Sequence, residues 1–300
     1  MSLLDLPLEI VDLISRYLST RDVFSLCSTC RWLHDARSIF LEYSVVRVEG
    51  EDGEEKENMI KSLTDLGLRR VHASFKHVVD LSRLSGAYNL NLSGSDIKDA
   101  SKLREVHTLD LSFTKVSDVS MLGRVHTLNL SWTNAIDASA LGGVHTLNLS
   151  YTKVADASSL GSVHTLNLDG TLVEDVSMLG GVHTLSLRWT DVVDVSKLGG
   201  VHTLELCRTK VTDVSMLGRV HALDLRYTGV IDVSKLGGVH TLILSGTGVT
   251  DVSMLRGVHT LDLSSSDVTD VSKLGKVHTL DLRHTNPTGI SMLREVHVLY

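Results

Sequence analysis

Val144-His145-Thr146-Leu147-Asn148-Leu149-Ser150-Tyr151-Thr152-Lys153-Val154-Ala155-Asp156-Ala157-Ser158-Ser159-Leu160-Gly161-Ser162 is the stretch whose reading decides the fold. The same 19-residue unit, V-H-T-L-x-L-S-x-T-x-V-x-D-V-S-x-L-G-x, runs eleven times head to tail without an insertion, from Ala87 to Glu295. A degenerate copy precedes it (71–86) and a partial copy follows (296–300). Strict self-similarity at a period near 20 is the signature of a solenoid, in which each unit buries its apolar face against its neighbours. Within the unit, alternation places Leu147 and Leu149 on one face of a short strand and Thr146, Asn148 and Ser150 on the other. Strands stacked side by side form a parallel sheet with a continuous Leu/Val inner column. The second half, D-V-S-x-L-G, returns the chain through Asp, Ser and Gly turn chemistry. It leaves no room for a full helix, so turns or a single 3₁₀ turn are expected on the convex side, with a rather flat coil.

Apolar residues at positions 1, 4, 6 and 11, with a hydroxyl at 9, resemble the leucine-rich repeat L-x-x-L-x-L-x-x-N-x-L, Thr standing in the Asn place. The expected class is therefore α/β: a leucine-rich-repeat solenoid behind a helical N-terminal segment. Residues 1–42 form that segment, 43–70 an acidic linker, and 71–300 the solenoid.

Composition agrees with a repeat core. The chain has 300 residues, 42% hydrophobic but only 4% aromatic, which fits Leu/Val layers better than an enzyme globule. A net charge of −7 gives no electrostatic footprint for nucleic acid or an anionic membrane. No apolar run approaches the length of a membrane span, and residues 1–8 do not read as a signal peptide. Three cysteines, Cys27, Cys30 and Cys207, make no disulfide framework. The expectation is an intracellular, cytoplasmic chain.

Residues 6–18, Leu6-Pro7-Leu8-Glu9-Ile10-Val11-Asp12-Leu13-Ile14-Ser15-Arg16-Tyr17-Leu18, start with a Pro suited to a first helical turn and continue at helical spacing. A second segment follows Ser19 or Thr20, and a third carries Cys30-Arg31-Trp32-Leu33. Three short helices of this size need outside support, either a partner or the end of the solenoid. The pattern L-P-x-E, I-x-x-x-I-L-x-Y-L, D-h-x-x-L and C-R-x-W resembles an F-box through Leu6, Pro7, Glu9, Ile10, Ile14, Tyr17, Leu18, Asp22, Leu26, Cys30, Arg31 and Trp32. Together with the V-H-T-L-x-L-S-x-T repeats, the chain resembles the F-box/leucine-rich-repeat proteins of large DNA viruses of amoebae. The resemblance implies a substrate receptor of a cullin–RING ubiquitin ligase, acting in the host cytoplasm and needing no cofactor. Leu6, Pro7, Ile10, Ile14, Leu18 and Trp32 would grip the Skp-type adaptor, and the repeats would hold a protein target. The competing expectation is a plain protein-binding scaffold whose N-terminal helices only cap the first repeat; a structural repeat protein is a third.

Cys27-x-x-Cys30 has no second pair and no βαβ context, so it reads as small apolar helix residues rather than a zinc or redox site. The run from Glu49 to Glu57 reads as a solvated acidic loop, followed by a short helix over 58–66. His, Asp and Ser recur in every unit, so an apparent catalytic triad is an artefact of period, and no P-loop, nucleophile elbow or HExxH occurs. The row of His at position 2 and that of Asp at position 13 invite metal or pH readings. A stacked, hydrogen-bonded His row and an Asx or Ser/Thr turn at Asp are favoured. The chain's last residues open a strand without a polar capping repeat, so the final apolar layer is expected to need cover.

What varies points to function. Position 8 holds Phe113, Trp132, Tyr151, Gly170, Trp189, Arg208, Tyr227, Gly246, Ser265 and His284, and position 7 carries Arg188 and Arg226. Trp, Tyr and Arg on one exposed strip are the composition of a binding hot spot. Phe113, Trp132, Tyr151, Arg188, Trp189, Arg208, Arg226 and Tyr227 are thus the expected partner-binding strip. The alternative is that the rings only stack on neighbouring repeats.

Overall fold

The computed structural model describes residues 45–48, 51–65 and 70–300. The expected helices of residues 1–42, the adaptor-gripping side chains and the Cys27/Cys30 pair lie outside the described residues. The chain divides into two compact units after Asn129.

In the first unit, strands β1 (Val45–Val48), β2 (Arg70–Ser74), β3 (Asn89–Asn91), β4 (Thr108–Asp110) and β5 (Thr127–Asn129) pair in parallel in chain order. Helix α1 (Glu54–Asp65) connects β1 to β2 and packs on both, burying Ile60 and Leu63. Here the acidic-loop expectation is corrected, because Glu54 to Glu57 are the first turn of this helix. Three acids at a helix N-terminus face the positive end of its dipole. Glu57 is fully buried and its carboxylate accepts the backbone N–H groups of Val79 and Asp80. A buried carboxylate is tolerated when donors surround it.

In the second unit, nine strands pair in parallel in chain order: β6 (Thr146–Asn148), β7 (Thr165–Asn167), β8 (Thr184–Ser186), β9 (Thr203–Glu205), β10 (Ala222–Asp224), β11 (Thr241–Ile243), β12 (Thr260–Asp262), β13 (Thr279–Asp281) and β14 (Val298–Leu299). Each residue pairs with its own equivalent one repeat on, as in Leu147 with Leu166 and Leu166 with Leu185. The register is pinned because a slip of one would turn every Leu outward.

Six positions of each repeat face inward, save Ile290 in the last copy, which is exposed. In the copy from Val201, they are Val201, Leu204, Leu206, Val211, Val214 and Leu217, none more than 2% exposed. The return side is made of turns and single 3₁₀ turns such as Ser139–Gly143, Ser158–Leu160 and Ser253–Leu255, as the short second half requires. Glycine at position 18 has a packing cause: a Cβ on Gly218 would lie 2.3 Å from the Lys235 carbonyl oxygen of the next repeat. Among the described residues, no helix is long and apolar enough to cross a membrane.

Candidate partner-binding strip

The strip grows out of the turn that ends each strand. In the copy from Val201, the Leu206 carbonyl accepts both the backbone N–H of Thr209, at 3.1 Å, and its hydroxyl, at 2.7 Å. The same pair of bonds closes the turn in the other copies of this unit, for example Thr133 to Leu130 and Thr190 to Leu187. The position-9 hydroxyl is thus a buried donor with a fixed acceptor, as its recurrence in the sequence implies. Within the same turn, the Arg208 N–H continues the inter-repeat ladder to the Arg226 carbonyl. Of the four-residue turns closed this way, the type II form needs a positive φ at its third residue, which is position 8.

All eleven position-8 residues obey this demand. Gly94, Gly170 and Gly246 do so freely. Phe113, Trp132, Tyr151, Trp189, Arg208, Tyr227, Ser265 and His284 hold φ between 54° and 61°. Each of these eight adopts a conformation that costs an L residue about 1–2 kcal/mol. The positive φ is imposed by the turn that every repeat shares, and in six copies it is carried by Phe, Trp, Tyr or Arg. Sequence reading missed the conformation, although glycine recurring at 94, 170 and 246 was its signal.

A left-handed residue at the strand's exit turns its side chain out. Trp132, Tyr151, Trp189 and Tyr227 are 43–55% exposed, while the leucines two positions before them are buried. They also stack. The Trp132 and Tyr151 rings lie 4.4 Å apart at 19°. The Arg208 guanidinium sits 4.3 Å from the Trp189 ring and 4.9 Å from that of Tyr227. Stacking and exposure, which the sequence left as alternatives, coexist in this unit. Phe113, in the first unit, has the same backbone and is 63% exposed.

Arg188 and Arg226 are placed differently from the column. Arg226 folds back on Asp224 with a bidentate pair, its Nη2 2.7 Å from Oδ2, and this carboxylate raises an already high guanidinium pKa. Arg188 pairs with Glu205 at 2.7 Å. They are the charged shoulder of the strip. Cys207 lies among them, half-buried, and burial pushes its thiol up, away from the reactive thiolate.

The two polar ladders are satisfied within their own repeats. In the second unit, rings of successive histidines from His145 to His297 stack at 4.5–4.7 Å. In the first, Tyr88 stacks on His107 and His107 on His126. Nδ1 of His202 shares a hydrogen bond with the Thr203 hydroxyl at 3.2 Å, and the pattern recurs along the row. Parallel rings at this spacing do not converge on one point, as a tetrahedral site with ligand bonds of about 2.0–2.1 Å requires. Desolvation, then the charges of His183 and His221, push His202 below the ordinary 6.5. Each position-13 carboxylate accepts the N–H of the serine two residues on, as Asp213 does from Ser215 at 2.9 Å. This is the Asx turn expected from the sequence. The Ser215 N–H and hydroxyl hold Asp213 below the ordinary 3.8.

Comparison with solved structures follows this geometry. An internalin, inlF, from Listeria monocytogenes superposes with a TM-score of 0.68 at 20% identity, covering 85% of each chain. A leucine-rich-repeat protein of Leptospira interrogans gives 0.65 at 17%, covering 82% of this chain and 74% of that one. The fold is a leucine-rich-repeat solenoid. A plant peptide hormone receptor, RGFR1, solved in complex with RGF2, gives 0.56 at 14% over 81% of this chain, which spans only 47% of the receptor. No family model matches the chain, and no curated protein matches it. The F-box resemblance of residues 6–32 therefore rests on the residues quoted above.

Proposed function

We propose that this solenoid is a non-enzymatic protein-binding scaffold whose contact strip is the position-8 column with its charged shoulder. In the second unit, the strip is Trp132, Tyr151, Trp189, Arg208 and Tyr227, with Arg188 and Arg226 beside them; Phe113 is its counterpart in the first unit. The observation that carries the reading is the row of large, half-exposed side chains held at positive φ. Gly, Ser and His serve the same turn elsewhere, so the fold has no need of Trp or Tyr there. Aromatic and Arg side chains gathered on an exposed strip are what protein hot spots are made of. RGFR1, a similar fold, was solved with RGF2 bound. The acidic balance of the chain favours a protein over a nucleic acid. A catalytic reading has little to use, since His, Asp and Thr of each repeat are engaged by their own neighbours.

Peptide-display selection on the full chain tests this. Binders that enrich on the wild type should lose affinity at least ten-fold on a folded Trp132→Ser/Tyr227→Ser variant. They should keep it on a variant of the opposite side, Met216→Ser. Equal binding to both variants would remove the strip.

The finer reading is a substrate-recognition subunit of a cullin–RING ubiquitin ligase, with Leu6, Pro7, Ile10, Ile14, Leu18 and Trp32 gripping a Skp-type adaptor. It is supported by the order and spacing of those residues ahead of a protein-binding repeat. A pull-down with purified adaptor, comparing the full chain with Leu6→Ala/Pro7→Ala/Ile14→Ala, decides it. Binding lost in the variant supports the ligase role. No binding by either folded protein leaves a scaffold with a helical cap.

A further inference from the structure

The arginines of the strip are not equivalent. Position 7 shares the sheet face with position 5, so an arginine there lies beside the acids of that face. Arg188 pairs with Glu205 at 2.7 Å and Arg226 with Asp224 at 2.7 Å. Arg283, also at position 7, grips Asp281 through Nε and Nη2. Arg208 stands at position 8, on the turn. Its side chain makes no hydrogen bond and no ion pair with the described residues.

What holds Arg208 is aromatic. Its Cζ lies 4.3 Å from the Trp189 ring of the preceding repeat and 4.9 Å from the Tyr227 ring of the following one. Strands are spaced at about 4.8 Å, so a cation one rung from each ring is within contact distance of both. The backbone is fixed as well, at φ 60° in the turn that Thr209 closes on the Leu206 carbonyl. Arg208 is exposed all the same. Contact with the two rings leaves the N–H donors of the guanidinium without an acceptor among the described residues.

This is a preorganised anion receptor. An exposed arginine gives up rotamer freedom when it captures an anion, and one already held between rings has given up much of it beforehand. The planar guanidinium matches the two oxygens of a carboxylate. The surrounding charges select among anions. Lys210, two residues on, is paired with Asp191 at 2.9 Å, as Arg188 and Arg226 are with their own acids. Among these neighbours, Arg208 is the one positive charge left uncompensated. A carboxylate neutralises it, whereas a phosphate brings a charge of about −1.5 to −2 and leaves an excess.

We propose that Arg208 anchors an Asp or Glu side chain of the partner protein, received by its N–H donors between Trp189 and Tyr227. The inference rests on the strip reading above and names one group that the strip recognises.

The probes are capped Gly-Phe-Glu-Phe-Gly and its Gln and phosphoserine counterparts. The phenylalanines supply apolar contact with the strip whatever stands at the centre. The readout is the Trp189 indole N–H signal in ¹H–¹⁵N spectra, assigned with Trp189→Phe. The glutamate peptide should shift this signal saturably, with an apparent Kd at least three-fold lower than the glutamine peptide's, and the phosphoserine peptide should bind no tighter. Arg208→Gln should make the glutamate and glutamine peptides equal. Gly170 and Gly246 occupy the same place in their turns, so Arg208→Gly serves if Arg208→Gln does not fold. No saturable shift by the glutamate peptide, equal binding of glutamate and glutamine on the wild type, or an undiminished glutamate preference in a folded Arg208 variant would overturn the proposal. Tighter binding of the phosphoserine peptide would overturn the carboxylate in favour of a phosphate. Glutamate and glutamine peptides that bind alike on the wild type and are both lost on Trp132→Ser/Tyr227→Ser would leave the strip standing and remove the anchor.

Discussion

Leu204 and Arg208 lie four residues apart in one repeat and follow opposite rules. Position 4 is leucine in all eleven copies, has no exposure in this one, and sits on a regular strand. Position 8 changes in almost every copy, is exposed wherever it is large, and holds a positive φ throughout. The inner column pays no penalty for sameness, because identical side chains stacked in register fill one another's gaps. The outer column keeps only the backbone of its turn constant and leaves the side chain free to serve a partner. Regularity is thus the mark of folding here, and departure from it is what the proposed binding strip rests on.

Substitutions break the comparison in a predictable order. Leu204→Ala opens a cavity inside the stack and should cost about 2–5 kcal/mol, read as a lowered urea midpoint. Because each repeat contacts only its neighbours, the loss should spread to the flanking copies first. A midpoint within error of the wild type would mean that the inner column is not the seat of stability.

Acid should weaken the solenoid in two stages. His107, His202 and His259 are held below the ordinary 6.5, chiefly by desolvation, with neighbouring imidazoles adding to it. Their facing groups are the adjacent rings and the threonine hydroxyls; Ala222 replaces the hydroxyl beside His221. A histidine depressed on folding contributes stability above pH 6.5 that is lost as pH falls toward its folded value, since the unfolded chain binds the proton first. Asp194, Asp213 and Asp232 are held below 3.8 by the serine N–H and hydroxyl, so their contribution is lost only below that pH. The melting temperature should therefore be lower at pH 5 than at pH 7.5 and fall again below pH 4. Equal values at pH 5 and 7.5 would contradict the histidine account.

Gly218→Ala should cost about 1–3 kcal/mol, because the added carbon meets a backbone oxygen that cannot swing away. Ser265→Gly should do the opposite. Relief of a left-handed serine, worth about 1–2 kcal/mol, outweighs the extra unfolded-state freedom of glycine, about 0.4–1 kcal/mol. A denaturation midpoint that falls in Ser265→Gly would show that the turn does not strain its occupant.

Much of this was legible in the letters. The 19-residue period, the Leu147/Leu149 alternation and the D-V-S-x-L-G return specify a parallel stack with short turns. The residues of the outer strip were also visible, through variation against a constant background. Their backbone was not, because Trp and Tyr argue against a positive φ and only the three glycines argue for it. The ion pairing that sets Arg188 and Arg226 apart from Arg208 depends on a particular acid beside each, Glu205 of the next repeat for Arg188 and Asp224 two residues back for Arg226. The first turn of helix α1, Glu54 to Glu57, is read as loop from the sequence because charge runs are usually solvated, while its body falls within the expected helix. Only the donors Val79 and Asp80, more than twenty residues away, make Glu57 a buried residue.

The most direct test of the account measures stability and binding on one variant, Trp132→Gly/Trp189→Gly/Tyr227→Gly, using a binder selected on the wild type. The account predicts a urea midpoint close to that of the wild type, since strain relieved and stacking lost are each about 1 kcal/mol per site, together with loss of binding by at least ten-fold. A midpoint as low as that of Leu204→Ala, or binding that survives, would make the outer column part of the fold and not the surface that reads a partner.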